Sequence, residues 1–392
     1  MRRLAIQMKD GLAADEPVQR KGKLGDTDKK LLYRELAHCA VSPNYLSTLQ
    51  GREFVAFLLS LDESLADAIY DNEVDDALAH MSSEQVHMLA QTYILAWKAV
   101  EDQPQALVLE AHLRKVMMWT VNGDLTESHH ANLYEFLKEL HLARRERSVS
   151  DMLCRCYFPV LWCGFEALHY KIRHSAAKIF FDLFPLVEST QHNHQQELVE
   201  QFKLMHKLLG DACPDVRVVA VEGVLRVLTD FYEITPIHER KALVKDLISK
   251  NAKDMNSMES RILVNKGLSY MAGNRKAHTL LKTLIAKNKE CLEDVCLVKM
   301  SYVSLLLVAQ RIPGFKFWDV VEPKELLPLM ADDKPQLSLQ LAKLLCNSYF
   351  NPMADQRQNL ECSLLLHSLN RVAFRIFYTL LADIAPLKSI GT

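Results

Sequence analysis

Few residues in this sequence have the types and spacing to do chemistry, and each group falls short of a complete site. His192 and His194, in Gln191-His-Asn-His-Gln-Gln, have the imidazoles of a metal site, yet no carboxylate or cysteine completes a ligand set. Their setting reads as a polar loop between helices, and His129 and His130 read the same way. Cys154, Cys156 and Cys163 are the tightest group among nine cysteines, but they lie in an apolar run with no Cys-x-x-Cys pair. They read as buried free thiols of a reducing compartment. The twelve glycines never take GxGxxG or GxxxxGK spacing, so no loop is built to cradle a phosphate. No Gly-x-Ser-x-Gly elbow and no His-Glu-x-x-His helix is present either. The expectation is a chain without catalytic residues, cofactor, metal or small-molecule substrate.

What remains is the chemistry of binding. Net charge is −2, which excludes a uniformly basic nucleic-acid binder but not a local patch. Residues 53–90 hold nine acidic side chains and no Lys or Arg, whereas 236–290 hold twelve basic residues against five acidic ones. From the second segment Lys241, Lys245, Lys250, Lys253, Arg275, Lys276 and Lys282 are candidates for a basic face toward DNA or an acidic partner. Lys241 and Lys245 are four apart and share a helix face; Lys250 and Lys253, three apart, do so if that helix continues. Phosphate contact of this kind is weak and sequence-independent, roughly 10⁻⁴–10⁻⁶ M at physiological salt. The run Ala143-Arg-Arg-Glu-Arg-Ser148 reads as a solvated helix end.

The elements that must position these residues are helices. Gly (12) and Pro (13) fall well below the ~7% and ~5% of average usage. Residues 1–28 form a polar leader, taken as disordered; from Leu31 onward the apolar period is helical and no run alternates as a strand would. No stretch approaches the ~18 apolar residues of a membrane span, and the N-terminus lacks a signal peptide's apolar run. These features point to a soluble intracellular protein, with no membrane partner.

The informative feature is a repeat. From Val216 apolar or small residues fall at Val219, Ala220, Gly223, Val224, Val227, Leu228 and Phe231, one continuous helical stripe. The same offsets recur from Ile172, Ser260, Val298 and Leu337, with Arg173, Arg217 and Arg261 directly after three of the starts and Lys299 after a fourth. Spacings near 40 residues, built from helix pairs, are the HEAT and armadillo signature. Clear repeats are placed at about 152–186, 196–232, 238–273, 277–311 and 322–351, with divergent helical pairs over about 31–142. Pro159 and Pro328 fall inside first helices, and Asp215 sits at the start of a second helix as its cap. No pair buries its apolar face alone, so residues 29–392 are expected to stack as a single all-α solenoid.

Two blocks carry a resemblance. Met152-Leu-Cys-Arg-Cys-Tyr-Phe-Pro-Val-Leu-Trp162 and Ile172-Arg-His-Ser-Ala-Ala-Lys-Ile-Phe-Phe-Asp-Leu-Phe-Pro185 resemble the G-subunit family of condensin II. Tyr93-Ile-Leu-Ala-Trp97, Lys316-Phe317-Trp318 and Asn347-Ser-Tyr-Phe350-Asn-Pro352 follow in the family's order, although Ser175 stands where the family has Asn. Family members are much longer, so the chain reads as a fragment or a divergent short form. The resemblance implies a non-catalytic HEAT scaffold that binds the kleisin and works beside the SMC ATPases. It implies action on chromatin in the nucleus, in mitotic chromosome condensation. Arg217, Glu222 and Arg226, beside the best stripe, are the candidate kleisin face. The alternative is a general HEAT adaptor of the nuclear-transport or phosphatase-scaffold type.

Overall fold

The computed structural model describes residues 26–123, 126–189, 194–331, 334–349 and 356–384. Among the described residues every regular element is helical, and none is a strand. Positions 1–25 of the leader and His192 lie outside the described residues; Asp26 already belongs to the first helix, α1 (Asp26–Val41), so the leader's boundary moves upstream. The chain gathers into two compact units that meet in sequence at Glu200 and Gln201.

In the first unit α2 (Leu49–Leu61), α3 (Glu63–Ile69), α4 (Ser83–Ala99), α5 (Gln105–Asn122), α6 (Glu127–Leu142), α7 (Arg147–Phe165) and α8 (Tyr170–Leu183) follow α1. Their ends are written in capping chemistry. Thr48 accepts from the Gly51 N–H, Ser82 and Gln85 form a reciprocal capping box, and Gly123 closes α5 with φ of 66°. Helices α2, α4 and α6 pack in succession as one row, and α3, α5 and α7 as a second, with α8 against α5 and α7. Pro159 lies within α7, which continues across it. Part of the acidic segment 53–90 is engaged inside this unit, while Glu53, Glu63, Asp76 and Glu84 are exposed. Asp62 caps α3 and accepts from Tyr33, Asp67 meets His112 at 2.8 Å, and Asp71 meets Lys115 at 2.9 Å.

The second unit holds most of α9 (His194–Leu209), then α10 (Pro214–Asp230), α11 (Ile237–Ser249), α12 (Met258–Met271), α13 (His278–Lys287), α14 (Cys296–Ala309), α15 (Pro323–Ala331), α16 (Pro335–Tyr349), α17 (Gln356–Leu369) and α18 (Arg371–Ile384). The second helices α10, α12, α14, α16 and α18 stack directly on one another. Their burial reproduces the stripe. Val216, Ala220, Gly223, Val224, Val227 and Leu228 are buried, as are Ser260, Val264, Gly267, Leu268 and Met271, and Val298, Tyr302, Leu305, Leu306 and Ala309. The offset-three position is half-buried in every copy (Ser175, Val219, Leu263, Ser301, Gln340), so it marks the edge of the stripe. Asp215 is not the cap of α10: Cys213 holds that place, Pro214 opens the helix, and Asp215 sits in the first turn, where a carboxylate still favours the dipole.

The arginine after each stripe start has a structural task. Arg217 donates from Nε to Asp254 at 2.7 Å and from a terminal nitrogen to the Asp211 carbonyl at 2.7 Å. Arg261 repeats this one repeat later, with both oxygens of Asp294 at 2.7 and 3.0 Å and the Asp254 carbonyl at 2.6 Å. Each guanidinium thereby satisfies the turn that precedes its own helix and ties it to the next turn.

Candidate docking grooves and the basic segment

Stacked second helices bury their stripes sideways and leave a furrow between neighbours. Between α10 and α12 the furrow is set by Gly267. A Cβ built there would lie 2.4 Å from Leu225 Cδ1, so only glycine allows this approach. The open side forms a groove of about 430 Å³ lined by Glu222, Leu225, Arg226, Leu263, Lys266 and Tyr270, among others. Glu222 and Arg226 are exposed and one turn apart on α10; Lys266 and Tyr270, the latter 69% exposed, face them from α12. Two of the three residues expected on a binding face are thus brought together. Arg217 is not with them. Its side chain is only 12% exposed and its guanidinium is engaged by Asp254 and the preceding turn, so it belongs to the repeat junction.

A second groove in the first unit had no signal as a site in the sequence. Helices α5 and α7 run parallel, since the Cys156 thiol meets the Glu110 carbonyl near one end and Gly164 approaches Val121 near the other. Between them lies an apolar cleft of about 580 Å³. Next to Ala111 on α5, the buried Glu110 accepts from Trp97 Nε1 and Arg155 at the same oxygen, at 3.3 and 2.8 Å. Phe158 and Trp162 stack on α7, ring centroids 4.3 Å apart.

The basic segment proves less of a patch than its composition suggested. Lys253 pairs with Glu290 and Lys276 with Glu233, both at 2.6 Å. Helix α11 ends at Ser249 and a 3₁₀ turn follows, so Lys250 and Lys253 do not share a helix face; Lys250 reaches back to Asp246 at 2.9 Å. Lys282 donates to the Gly314 carbonyl. Lys241, Lys245 and Arg275 are exposed, and among the described residues none of them makes an ion pair. Arg144 and Arg147, expected on a solvated helix end, instead tie down the segment after α8: Arg144 donates to the Pro185 carbonyl at 2.9 Å and Arg147 to Ser189 at 2.7 Å.

Among the described residues no group of His, Cys, Asp and Glu converges as ligands. His130 faces the Thr120 carbonyl at 3.0 Å. Burial pushes the thiols of Cys154 and Cys156 up to about 11 and about 12, which keeps them protonated, while Cys163 is exposed. No described helix is long and apolar enough to cross a membrane.

Residues 38–188, which include α7 and its cleft, match the family described as condensin II non structural maintenance of chromosomes subunit. The chain is similar to the condensin-2 complex subunit G2 of Xenopus laevis (26% identity over 347 residues, 88% of this chain and 30% of that protein). The subunit G2 of Homo sapiens is similar at 25% identity over 347 residues, again 88% and 30%. The chain therefore spans about 30% of the length of the curated condensin-2 relatives it matches. Among solved structures, Kap121p bound to Nup53p is similar with a TM-score of 0.45 and 12% identity, covering 97% of this chain and 47% of that one.

Proposed function

We propose that the chain is a non-catalytic scaffold of condensin II that holds the kleisin subunit in the groove between α10 and α12. The observation that carries this reading is the groove itself. It is open, formed by two rigid helices, and supplies charges of both signs (Glu222, Asp230, Arg226, Lys266) beside the apolar faces of Leu225, Leu263 and Tyr270. A mixed lining of this sort suits a peptide segment and not a small metabolite, and a rigid wall lowers the ordering cost of binding. The family match supports the assembly: the kleisin and the SMC subunits are the partners, the ATPase chemistry is theirs, and the site of action is the chromosome in the nucleus. Weak contact with DNA phosphates through Lys241, Lys245 and Arg275 is part of the same proposal.

The test is a tiled array of overlapping peptides from the cognate kleisin, probed with the wild-type chain and with Arg226→Glu/Lys266→Glu. One or two adjacent peptides are expected to bind the wild type, and the charge-reversed chain should bind them at least about tenfold more weakly, the cost of one to two lost charge pairs. Equal binding by both proteins, or no binding peptide at all, removes the groove as the kleisin seat.

A further inference from the structure

The cleft between α5 and α7 lies in the other unit and is chemically different from the groove assigned to the kleisin. Its floor is small and apolar, with Ala111, Pro159, Cys163, Gly164 and Ala167, and Met118 at its wall is 51% exposed. Gly164 keeps the floor low: a Cβ there would lie 2.9 Å from the Ala176 Cβ and 3.1 Å from Val121. Pro159 removes one backbone donor from the same stretch of α7, so the Arg155 carbonyl loses its i+4 partner. The lining residues run from Ala111 to Asn122 along α5, a length of roughly 17 Å at 1.5 Å per residue, or about three helical turns.

The charges on this cleft are of one sign. Arg114 and Lys115 line it, and no carboxylate does. Both cations line the cleft while keeping contacts within the unit. Arg114 stands 3.9 Å from Glu110, a carboxylate that already accepts from Arg155 and Trp97 at shorter range. Lys115 pairs with Asp71, whose side chain is 60% exposed, and lies over the Tyr70 ring, 4.9 Å from its centroid. Surface pairs of this kind are weak, so carboxylates from a partner can share both cations.

From these features we propose that the α5–α7 cleft is a docking site for a partner's amphipathic helix of about three turns, with an apolar stripe on the floor and Asp or Glu along the flank nearest Arg114 and Lys115. Parallel helices with small residues between them accept a third helix lengthwise, its side chains entering the furrow at i, i+3, i+4 and i+7. The proposal is independent of the kleisin reading, since its cleft and its variants lie in the first unit.

The probe is a display library of 14-residue helices with a fixed leucine stripe and randomised flanks, selected on the full-length chain. Enriched clones are expected to carry Asp or Glu on one flank. A dye-labelled peptide of the winning sequence is then measured by anisotropy. Cys163→Trp, at an exposed position, fills the cleft and should weaken it at least tenfold with an unchanged thermal midpoint. Arg114→Gln/Lys115→Gln should abolish the preference for acidic over basic flanks. Arg226→Glu in the other unit should change nothing. No enrichment, enrichment of basic flanks, or binding that survives Cys163→Trp overturns the proposal. So does displacement of the peptide by duplex DNA from an unfilled cleft, or concentration-dependent self-association that Cys163→Trp abolishes, since either outcome names a different occupant.

Discussion

Lowering the pH should weaken the first unit through His141, and the size of the effect follows from its surroundings. The imidazole Nε2 lies 2.8 Å from the fully buried Tyr157 hydroxyl, at the junction of α6 and α7. Burial, with Arg144 nearby, holds its pKa down at about 4 against an ordinary 6.5, while Asp182 opposes the shift only in part. An unfolded chain therefore takes up this proton first. The contribution to stability is complete above about pH 6.5 and is lost as pH falls toward 4. Across the whole window the loss is on the order of 3 kcal/mol, at ~1.4 kcal/mol per pH unit; at pH 5 it is about 2 kcal/mol.

The assay is urea unfolding of wild type and His141→Gln at pH 7.5 and pH 5.0. Glutamine can still hydrogen-bond Tyr157 but does not titrate. Burial also lowers the pKa of His112, which pulls in the same direction, and that contribution is common to both proteins. The difference between the two pH-dependent losses isolates His141, and is expected to be about 2 kcal/mol. A difference under about 0.5 kcal/mol would show that His141 carries its proton in the folded state, and that the α6–α7 junction is open to water.

Three further outcomes follow from the packing. Val216→Asp places a carboxylate at a fully buried stripe position and should cost several kcal/mol, seen as insolubility or a large drop in thermal midpoint. An unchanged midpoint would mean the stripe is wrongly phased. Arg261→Met removes the guanidinium from Asp294 and the Asp254 carbonyl, leaving each only a backbone donor, and should cost roughly 2–4 kcal/mol, part of it recovered by adding Asp294→Asn in a double-mutant cycle; full additivity would deny the clamp. For DNA, anisotropy with a labelled duplex at two salt concentrations should show loose, salt-sensitive binding that Lys241→Glu/Lys245→Glu/Arg275→Glu abolishes, while binding insensitive to either change ends that part of the proposal.

The buried stripe was legible because it is periodic: a helix that packs through one face must repeat its apolar residues at 3.6 positions, and five copies of the same offsets leave little freedom in phase. Pairing across the fold was not legible. Glu110 sits between Leu109 and Ala111 with nothing local to show that it is buried, and its partner Arg155 is 45 positions away. Asn265, fully buried, is held by Asn288 and Ser301 from the following repeat, so its polarity looks out of place until those helices are docked. The basic segment misled in the opposite direction. A window counts charges along the chain, whereas Lys276 is neutralised by Glu233, which lies outside that window.

Grooves are the hardest feature to read, because they consist of what is missing between two helices. Gly267 illustrates this. In sequence it occupies a stripe position and reads only as a weak helix former, costing about 1 kcal/mol relative to alanine. In the structure it does two things. It lets α12 approach Leu225 on α10, which closes the bottom of the furrow, and by lacking a side chain it leaves the top unfilled. Gly164 does the same between α5, α7 and α8. A side chain at either place would push helices apart. If the two grooves dock partners as proposed, stability and docking constrain these positions in the same direction, and a glycine one period away from a buried leucine in a helical repeat is the signal by which such a groove could be sought.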